Sequence, residues 1–335
     1  MNRNRQIIVR ELPQGELTEA HFEMHEGNMP SAGDGEVLVR TILISVDAAN
    51  RAWMAGPTYR EAVKEGDVMH AYCIAEVVQS GDKGFAPGDI VAAEAGWADY
   101  SVVPVSKVTE LPDTRPLSHL LSVSGIAGKT AYHGLIGVGE PKRGETVVVS
   151  AAAGSVGMYV GQIAKALGCR AVGIAGGKEK CDWVTNELGF DACVDYRSGN
   201  LFRELKAACP DGIDVYFDNV GGKILETALF QMNMKGRVVC CGAVSQYDSD
   251  DSTGPRNLPG IVVVKRLRMQ GFIYFDYADA DEAAERDLAK WLKDGKLKVT
   301  DDIVEGLENA PRALIGLLAG ENRGKRMVRV AADPA

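Results

Sequence analysis

The spacing Ala152-x-Gly154-x-x-Gly157 lies between the β-branched run Thr146–Ser150 and a helix-forming stretch, and this arrangement could hold a nucleotide diphosphate. Strand, glycine-rich turn and helix in that order make a dinucleotide-binding turn, here with alanine at the first of three glycine positions. Gly154 lets the backbone approach the phosphates, and Gly157 lets the helix pack closely on the strand. The diphosphate would sit at the helix N-terminus, where N–H groups lack partners and the dipole is positive. A second pointer follows in Arg170–Ala175 and the text after it, AGGKEK. A site for NAD carries a carboxylate at this point to hold the ribose hydroxyls. Here glycines follow, then Lys178 and Lys180. A missing acid with nearby cations suits a ribose 2′-phosphate, which an acid would repel and a lysine can pair. Lysine is also unfavourable at a helix start unless an anion is present. The expected cofactor is therefore NADPH rather than NADH.

These groups need a parallel sheet to position them, and the text from Glu145 onward has that rhythm. Thr146–Ser150 is the first expected strand, with a helix from Gly157 to Leu167 closed by Gly168. Arg170–Ala175, Ala192–Asp195, Ile213–Asp218, Arg237–Cys241 and Leu267–Phe275 are strands two to six. Helices are expected over Lys178–Leu188, Leu201–Ala208 and Lys223–Met232, with a charged amphipathic one over Asp281–Asp294. Strands alternating with helices of this length give right-handed βαβ units. Before Pro112 the rhythm differs. Glu36–Ile44, Tyr72–Val78 and Ile90–Ala93 are short Val- and Ile-rich runs bounded by turn residues, as in an antiparallel, barrel-like domain. Pro116–Leu135 reads as helical, with Ser118 or Ser122 as cap. The last strand, Lys325–Ala331, is expected to rejoin the first domain. The expected division is 1–125, 126–295 and 296–335. The loop Ser249–Gly260 is long and polar with two prolines, in a place where substrate lids occur, though a plain surface insertion explains it equally well.

The chain has 335 residues, 46% hydrophobic and 25% charged, which is enough for two domains with a core each. A net charge of −9 argues against a nucleic acid or anionic membrane as partner. The N-terminal text has no apolar signal-like region, and no run reaches the roughly 18 apolar residues of a membrane span; the expected location is the cytosol. The seven cysteines form no C-x-x-C and read as reduced packing residues.

The order AAAGSVG, AGGKEK, GFDACVDY, DGIDVYFDNVGG, GRVVCCGAVSQY, GFIYFDY and ENRGKRMV, with SVDAANRAWM and FAPGDIVAAEAGWADYSVV before it, resembles the zinc-independent medium-chain dehydrogenase/reductases. The likeness is to the branch of prostaglandin, plant double-bond and bacterial curcumin reductases, and it spans nearly the whole chain. It implies an α/β fold, with a doubly wound parallel Rossmann sheet and a mostly antiparallel, GroES-like catalytic domain. It also implies residue roles. Gly154, Ser155, Val156 and Gly157 would hold the diphosphate, Lys180 would pair with the 2′-phosphate, and Tyr196 would lie against the adenosine end. Asn219 would line the cofactor groove. Cys241, Gly242, Ala243, Val244 and Ser245 would border the nicotinamide, as would Phe272, Ile273 and Tyr274, and Asn322 would reach it from the last segment. Departures are Gly177, where the family often has serine, and Ala48-Ala49, where it often has Pro-Tyr. Zinc-dependent relatives need a Gly-His-Glu motif and a cysteine before the first-domain helix. This chain has neither, and His70 stands in MHAYC without the glutamate. No metal is expected.

The implied reaction is hydride transfer from NADPH to the β-carbon of an α,β-unsaturated ketone or aldehyde. Negative charge then develops on the carbonyl oxygen, and catalysis needs a hydrogen-bond donor aimed at it. By resemblance that donor is Tyr247, just after strand five. Trp53 and Tyr59 are the expected apolar walls of the substrate site. The implied partners are a small hydrophobic enone or enal and a second copy of the chain, paired through strand six. Quinone or carbonyl reduction on the same fold, and a non-catalytic NADPH-binding role, are the competing readings.

Overall fold

The computed structural model describes residues 3–112, 114–248 and 254–334. The chain forms two units, Met1–Leu121 with Asp301–Ala335, and Ser122–Thr300. The boundaries expected at 125/126 and 295/296 thus fall at 121/122 and 300/301.

In the first unit, β1 (Arg3–Val9) and β2 (Phe22–Asn28) form an antiparallel hairpin. The long strand β3 (Glu36–Ser45) leads to the short helix α1 (Ala49–Ala55). β4 (Cys73–Ser80), β5 (Ile90–Ala93), β6 (Tyr100–Pro104) and β7 (Val108–Glu110) complete the antiparallel part, where β3 pairs with both β4 and β6.

The second unit begins with α2 (Ile126–Tyr132), which runs on as a π-helical segment over His133–Gly139. β8 (Thr146–Ser150), α3 (Gly157–Ala166), β9 (Arg170–Ala175), α4 (Lys178–Asn186), β10 (Ala192–Asp195), α5 (Leu201–Ala208), β11 (Ile213–Asp218), α6 (Gly222–Gln231), β12 (Met232–Cys240), α7 (Leu258–Lys265), β13 (Arg268–Gly271) and α8 (Asp281–Lys293) follow in turn. The chain then returns to the first unit as β14 (Asp301–Glu305), α9 (Ala310–Leu318) and β15 (Lys325–Arg329), with β15 antiparallel to β3.

The six parallel strands of the second unit lie in the order β10-β9-β8-β11-β12-β13. In order of appearance that is 3-2-1-4-5-6, the doubly wound Rossmann arrangement, whose direction reverses between β8 and β11. All five residues of β8 are buried, and Val147, Val148 and Val149 are fully so. Covering each valine from both faces contributes about 1.5–3 kcal/mol, which is why this central strand has no amphipathic alternation.

Several expected elements are revised. Strand six ends at Gly271, and Tyr274–Ala280 is a 3-10 turn rather than strand. The helix expected over Pro116–Leu135 is broken into a 3-10 turn at Leu117–Leu120 and α2, which starts after Gly125 with no side-chain cap, so neither Ser118 nor Ser122 opens it. Close packing explains the late start, because a Cβ on Gly128 would stand 1.9 Å from the Val123 carbonyl oxygen. Of the expected loop Ser249–Gly260, residues 249–253 lie outside the described residues, and its end is already helix, with Pro259 in the first turn of α7. α9 was not legible as a helix.

The first-unit motifs SVDAANR and NRGKRMV meet through a buried charge. Lys325 is fully buried, and its Nζ donates to Asp47 Oδ1 at 2.6 Å and to the Val46 carbonyl at 3.3 Å. Asp47 is held in turn by Ser45 Oγ, and its N–H donates to Asn50 Oδ1. A buried ammonium without that carboxylate would be strongly destabilising, so the ends of this unit are tied together far apart in sequence.

Candidate active site

The glycine turn at the end of β8 is built to admit a phosphate. Its left-handed residue is Ala151, at φ 51°, whereas the sequence assigned the first special position to Ala152. Gly154 N–H donates to the Ala151 carbonyl at 2.9 Å. A Cβ on Gly157 would stand 2.2 Å from that same oxygen, and one on Gly154 3.2 Å from it. No side chain fits at Gly157, so the helix start closes directly onto the strand end. Ala152 is small for a matching reason, since a Cβ on Gly173 of the neighbouring strand would meet its methyl at 2.7 Å. Ser155 and Val156 complete the turn, and α3 opens at Val156. Met158 N–H donates back to the Gly154 carbonyl at 3.1 Å, so the helix begins within the turn and sets the positive end of its dipole there. The cradle fits a dinucleotide diphosphate.

At the end of β9, Gly177 has φ 91° and opens α4. Its N–H donates to Asp195 Oδ1 at 2.7 Å, and the same oxygen accepts the Arg197 N–H at 2.9 Å. Asp195 is therefore engaged with backbone. Of the two lysines, Lys178 pairs with Asp182 along its own helix at 2.5 Å, and Lys180 is the less exposed. Tyr196 folds over the turn, with its hydroxyl 3.0 Å from where a Cβ on Gly176 would be. These residues fit a ribose 2′-phosphate.

The ends of β8, β11 and β12 are joined through Asp218, a residue that sequence reasoning did not single out. It is 2% exposed. Its carboxylate accepts from Ser150 Oγ at 3.1 Å, Tyr216 hydroxyl at 3.0 Å, and the N–H groups of Val220 and Gly221 at 3.1 and 3.0 Å. Burial pushes its carboxyl upward, and the four donors pull the other way. Asn219 lies beside it, with its N–H on Ser150 Oγ and its amide on the Ser150 carbonyl at 2.9 and 2.8 Å. The direction of the sheet reverses here, between β8 and β11, where ligands of such folds bind. The signal in the sequence is the polar pair Ser150 and Asp218, each closing a largely apolar strand.

Cys241–Tyr247 hangs from the end of β12 and is stitched to the end of β11. Cys241 and Gly242 donate to the Asp218 carbonyl, Val244 to that of Asn219, and Ser245 to that of Val220 through both its N–H and, at 2.6 Å, its hydroxyl. The half-buried Tyr247 turns back on this segment, so that its hydroxyl oxygen accepts the Ala243 N–H at 3.2 Å. Burial raises the phenol pKa, which Ala243 N–H opposes. The phenol therefore keeps its proton at neutral pH. With a lone pair engaged by Ala243, the hydroxyl still carries its own hydrogen to donate. Burial also pushes the thiols of Cys240 and Cys241 up to about 11 and about 12, so neither is a thiolate at neutral pH.

Phe272 is committed to packing. Its ring stands 6.2 Å from those of Phe217 and Tyr277, and only glycine fits at position 134 beneath it. Ile273 opens the 3-10 turn, and Tyr274 is half-buried with its ring 4.7 Å from Phe275. In the first unit, Asn322 is buried with its amide on the Gly324 carbonyl at 2.9 Å. Trp53 is only 3% exposed, with Tyr59 edge-on at 6.3 Å and the Arg60 guanidinium 4.5 Å over its ring. Trp53 is thus covered by Tyr59, 48% exposed, and by Arg60, which also pairs with Glu94 at 3.3 Å. His70 lines a cleft of about 390 Å³ with Asp67, Glu94 and Tyr100, and burial lowers its pKa so that it stays neutral.

Comparison with known proteins matches this architecture. Residues 5–111 fit the family model described as the N-terminal domain of oxidoreductase, and residues 155–291 the one described as zinc-binding dehydrogenase. Among the described residues no three His, Cys, Asp or Glu side chains gather as metal donors. NADPH-dependent curcumin reductase of Escherichia coli (strain K12) is 41% identical over 99% of this chain and 98% of its own. The NADP(+)-dependent 2-alkenal reductase of Nicotiana tabacum is 39% identical over 98% of each. The crystal structure of CurA from Vibrio vulnificus in complex with NADPH superposes with a TM-score of 0.93 at 38% identity, covering 98% of this chain and all of that one. The chain belongs to the medium-chain dehydrogenase/reductases, in the zinc-independent branch of the curcumin, prostaglandin and double-bond reductases.

Proposed function

We propose that this protein uses NADPH to reduce the carbon–carbon double bond of α,β-unsaturated ketones and aldehydes. Near-full-length identity to the curcumin and 2-alkenal reductases carries the reading. Bound NADPH supplies the hydride that adds to the substrate β-carbon. The glycine cradle at Gly154–Gly157 holds the diphosphate, Lys180 and Tyr196 hold the adenosine end, and Asn219 with Cys241–Ser245, Ile273 and Tyr274 shape the nicotinamide end. Phe272 supports that wall from behind. Tyr247 donates its phenolic hydrogen bond to the carbonyl oxygen as it gains negative charge, and the α-carbon then takes a proton. Such substrates are electrophiles that thiolates attack, and raised pKa values keep Cys240 and Cys241 as unreactive thiols.

Loss of NADPH absorbance with a linear enone, a cinnamyl-type enal, a quinone and a saturated ketone tests this, with NADH and EDTA as controls. Turnover of the enone and enal that prefers NADPH and ignores EDTA is expected. Turnover of the quinone or saturated ketone alone would replace this reading with quinone or carbonyl reduction, and NADPH binding without turnover of any would leave a non-catalytic role.

The same reading includes a homodimer paired through β13. That strand ends the sheet order, and Val263 and Val264 on the preceding helix are 73% and 67% exposed. An open sheet edge beside exposed apolar residues is normally covered. Sedimentation should give twice the chain mass of 35.9 kDa; a monomer across the micromolar range would rule the pairing out.

A further inference from the structure

We infer that Arg197 is a second cation of the 2′-phosphate site and sets the preference for NADPH over NADH together with Lys180. The inference rests on the NADPH reading above and goes beyond the residues assigned there. A phosphomonoester carries a charge of about −1.5 to −2 at neutral pH, more than one lysine balances. Lys178 has its charge beside Asp182. Gly176 and Gly177 offer no side-chain donor, and the Gly177 N–H already serves Asp195. A further cation at this turn is on Arg197. Its guanidinium lies 5.5 Å from the Tyr196 ring centroid, and its Nε is 3.0 Å from the position of a Cβ on Gly176. The Tyr196 hydroxyl is the same 3.0 Å from that point. Both side chains thus close over Gly176, where a Cβ would crowd them.

The backbone explains why Arg197 is held there. One Asp195 oxygen accepts from Gly177 and from Arg197, which joins the glycine turn after β9 to the 3-10 turn Tyr196–Ser198 after β10. Asp195 is a positioning residue. Its carboxylate is turned to the backbone N–H groups of Gly177 and Arg197, which offsets its charge beside a phosphate. Arginine suits the place because its planar fork can give two parallel hydrogen bonds to phosphate oxygens and can lie on an aromatic face.

Calorimetric titration of wild type, Arg197→Gln and Arg197→Lys with 2′,5′-ADP and with 5′-ADP tests this. Arg197→Gln should weaken 2′,5′-ADP binding by roughly tenfold or more, the loss expected for a charge-assisted hydrogen bond. It should leave 5′-ADP binding and the melting temperature unchanged. Arg197→Lys should recover part of the loss, and the salt dependence of 2′,5′-ADP binding should flatten in the glutamine variant. Equal losses for both nucleotides, or no loss for either, would overturn the assignment. A wild type that binds the two nucleotides equally would instead remove the NADPH reading, and the Arg197 role with it.

Discussion

Replacing Tyr247 with phenylalanine is expected to lower kcat on an enone by about 10²–10³-fold, the effect of deleting one oxyanion donor. NADPH affinity should be unchanged. The substitution removes a single oxygen, and the ring keeps its place because the segment carrying it is tied to β11 through Cys241, Gly242, Val244 and Ser245. The lost contact strengthens only as charge develops on the substrate oxygen, so the deficit should fall on kcat more than on KM. The pH dependence follows from the raised phenol pKa. The donating form is the protonated one, and a raised pKa extends it to higher pH. Activity therefore should lose no Tyr247-dependent limb until pH exceeds the ordinary tyrosine value near 10. Stopped-flow single turnovers at several pH values check both statements, and a phenylalanine variant with wild-type kcat would take Tyr247 out of the chemistry.

Asp218→Ala is expected to cost about 3–5 kcal/mol of stability, as for breaking a buried charged network by removing one member. Four donors lose their acceptor at once, two of them backbone N–H groups that cannot turn to solvent. For a unit of this size the melting temperature should fall by on the order of 10 °C. Asn219 and the Cys241–Ser245 segment lean on the same chain ends, so NADPH affinity should fall with it. Asp218→Asn keeps the shape but sets an NH₂ against hydrogen-bond donors, and should lie between alanine and wild type. Differential scanning calorimetry and NADPH titration measure the two effects. An alanine variant that melts and binds like wild type would show that the network does not hold this corner.

Much of this protein is set by local sequence. Glycines and β-branched runs act over a few residues, so the βα rhythm, the Gly154–Gly157 cradle and the glycines that end α3 and α4 are legible without a fold. The absence of an acid after Ala175 is equally local and points to the 2′-phosphate. What the linear chain could not give are relations between segments brought together by the sheet. Asp218 becomes a hub only because β8 and β11 are neighbours. Arg197 joins the adenosine end only because β10 lies beside β9. Trp53 is covered by Arg60 and Tyr59, and Phe272 fits only above Gly134, facts of packing that residue type does not carry. Strand six is expected to run to Phe275 because GFIYFDY has strand-like residues, yet Phe272 packs against Phe217 and the strand ends at Gly271. Local conformational preference is written in neighbouring residues, whereas burial and partnership depend on which distant strands the fold sets side by side.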